Sequence, residues 1–155
     1  MNSVKSAGLF GLAGYLVEVE TDFAPGLPRF DIVGLPDTAV RESRDRVCAA
    51  LKNCGYTLPA AKITVNLAPA DLKKAGPVYD LPIFLSLLLS SGQLALNLSK
   101  CMFVGELSLS GALRPVVGVL PMVLSARGAG CKAVFVPEEN AKEAAVVPGI
   151  TVYGV

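Results

Sequence analysis

KITVNLAPADLKKAGPVYDLPIFLSLLLSSG, residues 62–92, is the stretch on which the fold turns. Ile63, Val65 and Leu67 read as a strand, with Asn66 as its odd polar member. A polar loop carrying Lys73 and Lys74 follows, and a helix begins near Asp80. Asp80 is placed to cap that helix, and Pro82 is tolerated because it falls in the first turn. Ile83, Phe84, Leu85, Leu87, Leu88 and Leu89 cover every side of the helix, so it is expected to be buried nearly all round. Gly92 ends it. A strand, a loop and a helix start in this order make a frequent place for chemistry, because the first turn offers unpaired N–H groups.

On the N-terminal side, residues 4–8 and 15–21 have strand patterns. The Ala24-Pro25-Gly26-Leu27-Pro28 turn leads to residues 30–33, expected to return as the second strand of a hairpin, so that the chain opens with a β-meander. Asp37 and Gly55 are good start and stop residues for one helix, in which Val40, Val47, Leu51 and Cys54 share a stripe that also contains Ser43. Arg41 with Asp45 and Glu42 with Arg46 are opposite charges four apart. That charged face is either a solvated surface or, through Arg41 and Arg44, a surface that meets a partner domain or a phosphate.

On the C-terminal side, residues 101–109 read as a strand, Ser110-Gly111 as a tight turn and residues 113–117 as the return strand. A helix over 118–126, a strand over 133–136, a short helix over 138–145 and a last strand over 150–153 complete the chain. The order β-meander, α, β, α, β-hairpin, α, β, α, β predicts an α/β or α+β architecture, a mixed sheet with helices packed against it.

The chain has 155 residues, 52% hydrophobic and 17% charged, which fits one globular domain, residues 1–155, able to bury a core without metal or disulfides. A formal net charge of +1 gives no support for a strong non-specific polyanion binder, although a local basic patch is compatible with it. No apolar run approaches the roughly 18 residues of a membrane span, since the longest, 81–89, is broken by Pro82 and Ser86. The N-terminal MNSVKSAGLFGLAG flows directly into strand patterning, so a signal peptide is not expected. Cys48, Cys54, Cys101 and Cys131 form no C-x-x-C pair and are expected to be small, reduced, buried side chains of a cytoplasmic protein. The complete absence of histidine removes the usual zinc sites and every mechanism with a histidine base.

No G-x-x-x-x-G-K-[ST] stretch exists, so this chain has no P-loop for a nucleotide. Glu18 and Glu20 share a strand face, which is a poor pocket, and Asp71 and Asp80 have structural work as turn and cap residues. Without histidine, nucleophilic catalysis needs a form such as a Ser–Lys dyad, in which a desolvated lysine takes the serine proton. Ser86 with Lys73 or Lys74 fails on placement, because Ser86 is mid-helix and is expected to bond back to a carbonyl of its own helix.

Three stretches, FDIVGLPDTAVRESRDRV (30–47), ITVNLAPADLKKAGPVYDLPI (63–83) and FVGELSLSGALRPVVGVLP (103–121), followed by VFVPEENAKEAAVV (134–147), carry a resemblance. Together they resemble the N-terminal domain of the Mg-chelatase-like AAA+ ATPases, the ComM/YifB competence-protein family. The match covers nearly the whole chain, with Tyr79 standing where the family has phenylalanine before Asp80-Leu81-Pro82. The resemblance implies the Lon-protease-like version of the ribosomal protein S5 domain 2-like fold. It also implies an ATPase domain outside this chain, which would hold ATP and Mg, and a homohexameric ring that moves branched DNA during natural transformation. On that reading this chain is a non-catalytic domain without cofactor or metal, whose partners are its own AAA+ domain and DNA, with no membrane.

Lon-type peptidases, which share the fold, place the nucleophilic serine in a Gly-Pro-Ser-Ala-Gly turn, where this chain has Gly76-Pro77-Val78-Tyr79-Asp80. Their lysine falls within residues 118–122, which read Gly-Val-Leu-Pro-Met. Both members are missing, and no catalytic residue is expected. What remains in the loop is Lys73 and Lys74, expected to be exposed beside a helix start and, with Arg41 and Arg44, to be the candidate contacts for DNA or a partner domain. An autonomous nucleic-acid-binding module resembling the ribosomal domain is the alternative of a different class, and a Lon-type Ser–Lys peptidase is the third.

Overall fold

Strand β1 (Ser3–Phe10) and strand β2 (Ala13–Ala24) form an antiparallel hairpin whose register runs from Ser3 opposite Glu20 to Phe10 opposite Ala13. The computed structural model describes residues 2–155. Strand β3 (Arg29–Val33) does not return along β2. Strand β4 (Lys62–Ala68) lies between them, antiparallel to β2 and parallel to β3. The expected β2–β3 hairpin and opening meander are thereby corrected. Register explains the choice: Phe30 pairs with Ile63 and Ile32 with Val65, which puts four apolar side chains on one face. Parallel neighbours require a crossover, here helix α1 (Thr38–Arg41) and helix α2 (Ser43–Asn53).

The expected single helix over 37–55 is thus broken at Glu42. Asp37 caps α1 as expected, accepting the Val40 N–H at 2.8 Å, and Gly55 ends α2 with φ +85°. Glu42 and Arg46 form the expected pair at 3.7 Å, whereas Arg44, not Arg41, meets Asp45, at 3.6 Å. The break falls between Arg41 and Asp45 and removes their helical spacing.

Helix α3 (Asp80–Ser90) follows a single 3-10 turn, Pro77–Tyr79, and has no exposed residue, as its all-round apolar pattern predicts. Then come β5 (Cys101–Phe103), β6 (Glu106–Leu107), β7 (Leu113–Arg114), helix α4 (Val119–Gly128), β8 (Ala133–Val136), helix α5 (Ala141–Ala144) and β9 (Thr151–Gly154). The expected strand over 101–109 is two pieces, because Gly105 leaves the sheet, donates to Val78 O at 3.0 Å and accepts from Leu81 N at 3.1 Å. The main sheet has the order β3-β4-β2-β1-β5-β8-β9, and β6 and β7 make a separate hairpin.

Helices cover both faces of the sheet. Ser86 does not bond back to its own helix; its hydroxyl meets Thr21 Oγ1 at 2.7 Å in the core, which sets α3 on the face of Val17 and Val19. Gly14 points to the opposite face, where a Cβ would stand 2.2 Å from the Pro121 carbonyl oxygen, so α4 packs there. The four cysteines are free; Cys131 is buried and Cys48 and Cys101 half-buried, but Cys54 is exposed beside the Ser110-Gly111 turn, contrary to expectation. No helix among the described residues is long and apolar enough to cross a membrane.

Candidate functional site

The loop between β4 and α3 opens onto a cleft of ≈ 350 Å³, mostly apolar, whose lining includes Leu9, Gly76, Pro77, Val78, Glu106 and Met122. The structure therefore brings together the two chain segments in which a Ser–Lys dyad would stand. Neither carries one. Val78 is 5% exposed and Met122 2% exposed, and Glu106 is the one ionisable residue in the lining. No hydroxyl, thiol or amine in this lining stands with Glu106 to form a nucleophile–base pair of the Ser–Lys kind.

Behind the 3-10 turn, Tyr79 is almost fully buried, and burial pushes its phenol and that of Tyr15 above the ordinary range. Gly8 makes room for this pair: a Cβ there would stand 2.5 Å from the Tyr79 hydroxyl and 2.8 Å from that of Tyr15. The Tyr15 hydroxyl donates to Lys73 O at 3.3 Å, tying the loop to β2.

The two loop lysines differ. Lys73 is exposed, but Lys74 is fully buried, and its Nζ donates to the Pro69 carbonyl. Burial lowers the Lys74 pKa, and nearby Asp71 opposes that shift. The expectation of two exposed lysines is corrected for Lys74, and the physical reason is the backbone around it. Lys74 N donates to Leu35 O at 2.9 Å, Asp37 N donates to Lys74 O at 2.9 Å, and Gly76 N donates to the free Asp37 oxygen at 3.2 Å. The loop is bound along the start of α1, so the lysine stem enters the interior and its amine cannot face a phosphate.

Asp80 does not cap α3. Its carboxylate has no exposed surface and accepts from Ser43 Oγ at 2.5 Å, Arg46 Nε at 2.6 Å, Arg46 Nη2 at 3.1 Å and Leu107 N at 3.0 Å. Arg46 also donates to Ala39 O at 2.9 Å, and its bond to Asp80, reinforced by the charges of Asp80, Glu106 and Glu42 and opposed by burial, raises its pKa further. One buried ion pair thus joins α1, α2, α3 and β6. In the sequence Ser43 lies inside an apolar stripe and Asp80 at the start of an apolar helix, and nothing local connects them; a hydroxyl and a carboxylate both directed inward are the one signal of this pair.

Arg41 and Arg44 are exposed and line a hollow of ≈ 210 Å³ together with Phe30, Asp31 and Ile32. Neither Lys73 nor Lys74 belongs to that lining, so the four candidate cations do not converge on one hollow. Among the described residues no group of three or more histidine, cysteine or acidic side chains is placed to hold a metal ion.

Comparison with known proteins bears on this geometry. Residues 19–140 match the family model described as subunit ChlI of Mg-chelatase. An uncharacterized protein of Mycobacterium tuberculosis (strain ATCC 25618 / H37Rv) is 48% identical over 151 residues, covering 97% of this chain and 30% of its own length. Competence protein ComM of Haemophilus influenzae is 43% identical over 151 residues, again 97% of this chain and 30% of its own length. More distantly, Lon protease 4 of Sorangium cellulosum is 27% identical over 146 residues, with 88% of this chain and 18% of its own covered, which agrees with a Lon-like fold. The chain spans about 30% of the length of the first two relatives.

Proposed function

Because this chain belongs to the family of subunit ChlI of Mg-chelatase, we propose that it is a non-catalytic domain of a longer Mg-chelatase-like AAA+ ATPase that processes branched DNA in the cytoplasm. Its work is ring assembly or guidance of the DNA substrate. ATP and Mg bind elsewhere in the longer protein, and the domain's partners are its own AAA+ domain and, in a homohexamer, the DNA that the ring handles. The observation that carries the non-catalytic reading is the cleft lining, with Val78 where the resemblance puts a nucleophile and Met122, from the segment 118–122 that would supply the lysine, both apolar. The DNA part rests on the likeness to the competence protein of Haemophilus influenzae.

The test compares the full-length protein with a form lacking residues 1–155. ATP hydrolysis should survive the deletion, while ATP-driven migration of a labelled four-way junction should be lost. Unchanged junction migration would overturn the assigned role. A covalent adduct between the 155-residue chain and a fluorophosphonate serine probe would overturn the non-catalytic reading.

A further inference from the structure

Strand β3 is the end of the seven-stranded sheet. Arg29 N donates to Ala61 O at 3.2 Å, so the backbone groups of Arg29, Asp31 and Val33 are directed to β4. By alternation, the N–H and C=O groups of Phe30 and Ile32 point outward, and no described residue bonds to them. An open edge of this kind is a template for another extended chain unless the protein covers or blunts it. β3 contains no proline and β4 is its sole strand partner, while its two charged residues, Arg29 and Asp31, pair with each other at 2.7 Å.

The Phe30 and Ile32 side chains pack toward the core, and Arg41 and Arg44 stand beside them on the hollow. Arg41 has no ion-pair partner among the described residues, and Arg44 has one, Asp45 at 3.6 Å on its own helix. The Asp31 carboxylate is already taken by Arg29 at 2.7 Å. The edge therefore offers alternating backbone donors and acceptors flanked by two exposed guanidinium groups, Arg41 unpaired among the described residues and Arg44 held only by Asp45 of its own helix. A phosphodiester chain fits this poorly, because it presents acceptors alone and would face the outward carbonyls of Phe30 and Ile32. An extended polypeptide satisfies both kinds of group, and carboxylates on the side turned toward the helices would meet the guanidinium forks.

We propose that the outer edge of β3 docks an extended acidic polypeptide segment as an eighth strand, with its carboxylates bound by Arg41 and Arg44. This stands independently of the DNA reading above. The test uses the 155-residue chain and a fluorescein-labelled peptide alternating glutamate with threonine, followed by anisotropy and by amide exchange in NMR. Binding should slow exchange of the Phe30 and Ile32 amides. Joint Arg41→Glu and Arg44→Glu should weaken it by about tenfold or more. Both arginines are exposed, so the variant should fold, and Arg41→Ala gives a milder second measure. A peptide of the same sequence with N-methylated backbone on alternate residues should not bind. Equal binding of the methylated peptide would reduce the contact to charge alone and overturn the proposal. So would the absence of any peptide binding, or protection of the same amides by oligothymidylate. Concentration-dependent dimers that protect those amides without peptide would assign the edge to a second copy of this chain, and would also overturn it.

Discussion

Asp80 shows how one side chain can fix the geometry of several elements. Its two oxygens accept bonds from Ser43, Arg46 and Leu107, drawn from α2 and β6, and none of that carboxylate reaches solvent. Asp80→Asn keeps the shape but turns an amide NH₂ toward groups that are themselves donors, and leaves Arg46 with only the longer ionic contact to Glu42 at 3.7 Å. The substitution should destabilise the fold by about 3 kcal/mol, read as a lowered urea midpoint with an unchanged slope. Lys74 presents the opposite case, a cation held inside with a carbonyl as its partner. Its folded-state pKa lies below the ordinary lysine value of 10.5. Below that lowered pKa the amine is charged in folded and unfolded chains alike, and the folded state carries the whole burial penalty. Between the lowered pKa and 10.5 the unfolded chain binds more protons, so stability rises with pH; above it the penalty is gone. Lys74→Met should therefore be stabilising by about 1 kcal/mol at neutral pH. That advantage should shrink as pH approaches the ordinary lysine value, in urea titrations of both proteins at each pH, where Tyr15 and Tyr79 ionise alike and cancel. Adjacent lysines in a polar loop carry no local mark of which one is buried. The difference arises from Leu35 and Asp37, nearly forty positions away, which bind the Lys74 backbone and turn its stem inward.

At the scale of elements, what was legible in the sequence was whatever depends on neighbours along the chain. The alternation of Ile63, Val65 and Leu67 gave β4, and the unbroken apolar surface of residues 83–89 gave a buried α3. Strand pairing is a non-local choice, and there local reasoning failed: the turn after β2 suggested a hairpin, but β4 takes that place through its longer register with β2. Gly34 marks the point where this arrangement is tightest. Its φ is +106°, and a Cβ would stand 2.2 Å from the Leu67 carbonyl oxygen. Gly34→Ala combines a strained backbone with a clash against a backbone atom that cannot swing away. It should destabilise the protein by about 3 kcal/mol, and the largest loss of amide protection should fall in β3 and β4 rather than in β8 and β9. Uniform loss across the sheet would mean that the β3–β4 end does not open separately.

For the molecule as a whole, the distribution of charge bears on how DNA would be handled. The formal net charge is +1, Lys74 is enclosed and Arg46 is committed to Asp80. Of the cations singled out in the sequence, Lys73, Arg41 and Arg44 remain exposed, the two arginines on the β3 hollow and the lysine outside that lining. Affinity for a phosphate backbone grows with the number of phosphates neutralised together, and the β3 hollow supplies two of these cations. The isolated domain should thus bind oligothymidylate more weakly than about 10 μM at physiological salt, with a slope of log affinity against log salt no steeper than about −2. In the homohexamer proposed above, six copies would multiply such weak contacts around one DNA axis, since linked sites bind in an effectively intramolecular step. The full-length protein should accordingly bind DNA far more tightly and with a steeper salt slope than the domain. Anisotropy titrations across a salt series on both proteins distinguish the cases. A steep slope already present in the isolated domain would mean that it reads nucleic acid by itself, as the ribosomal-type alternative requires.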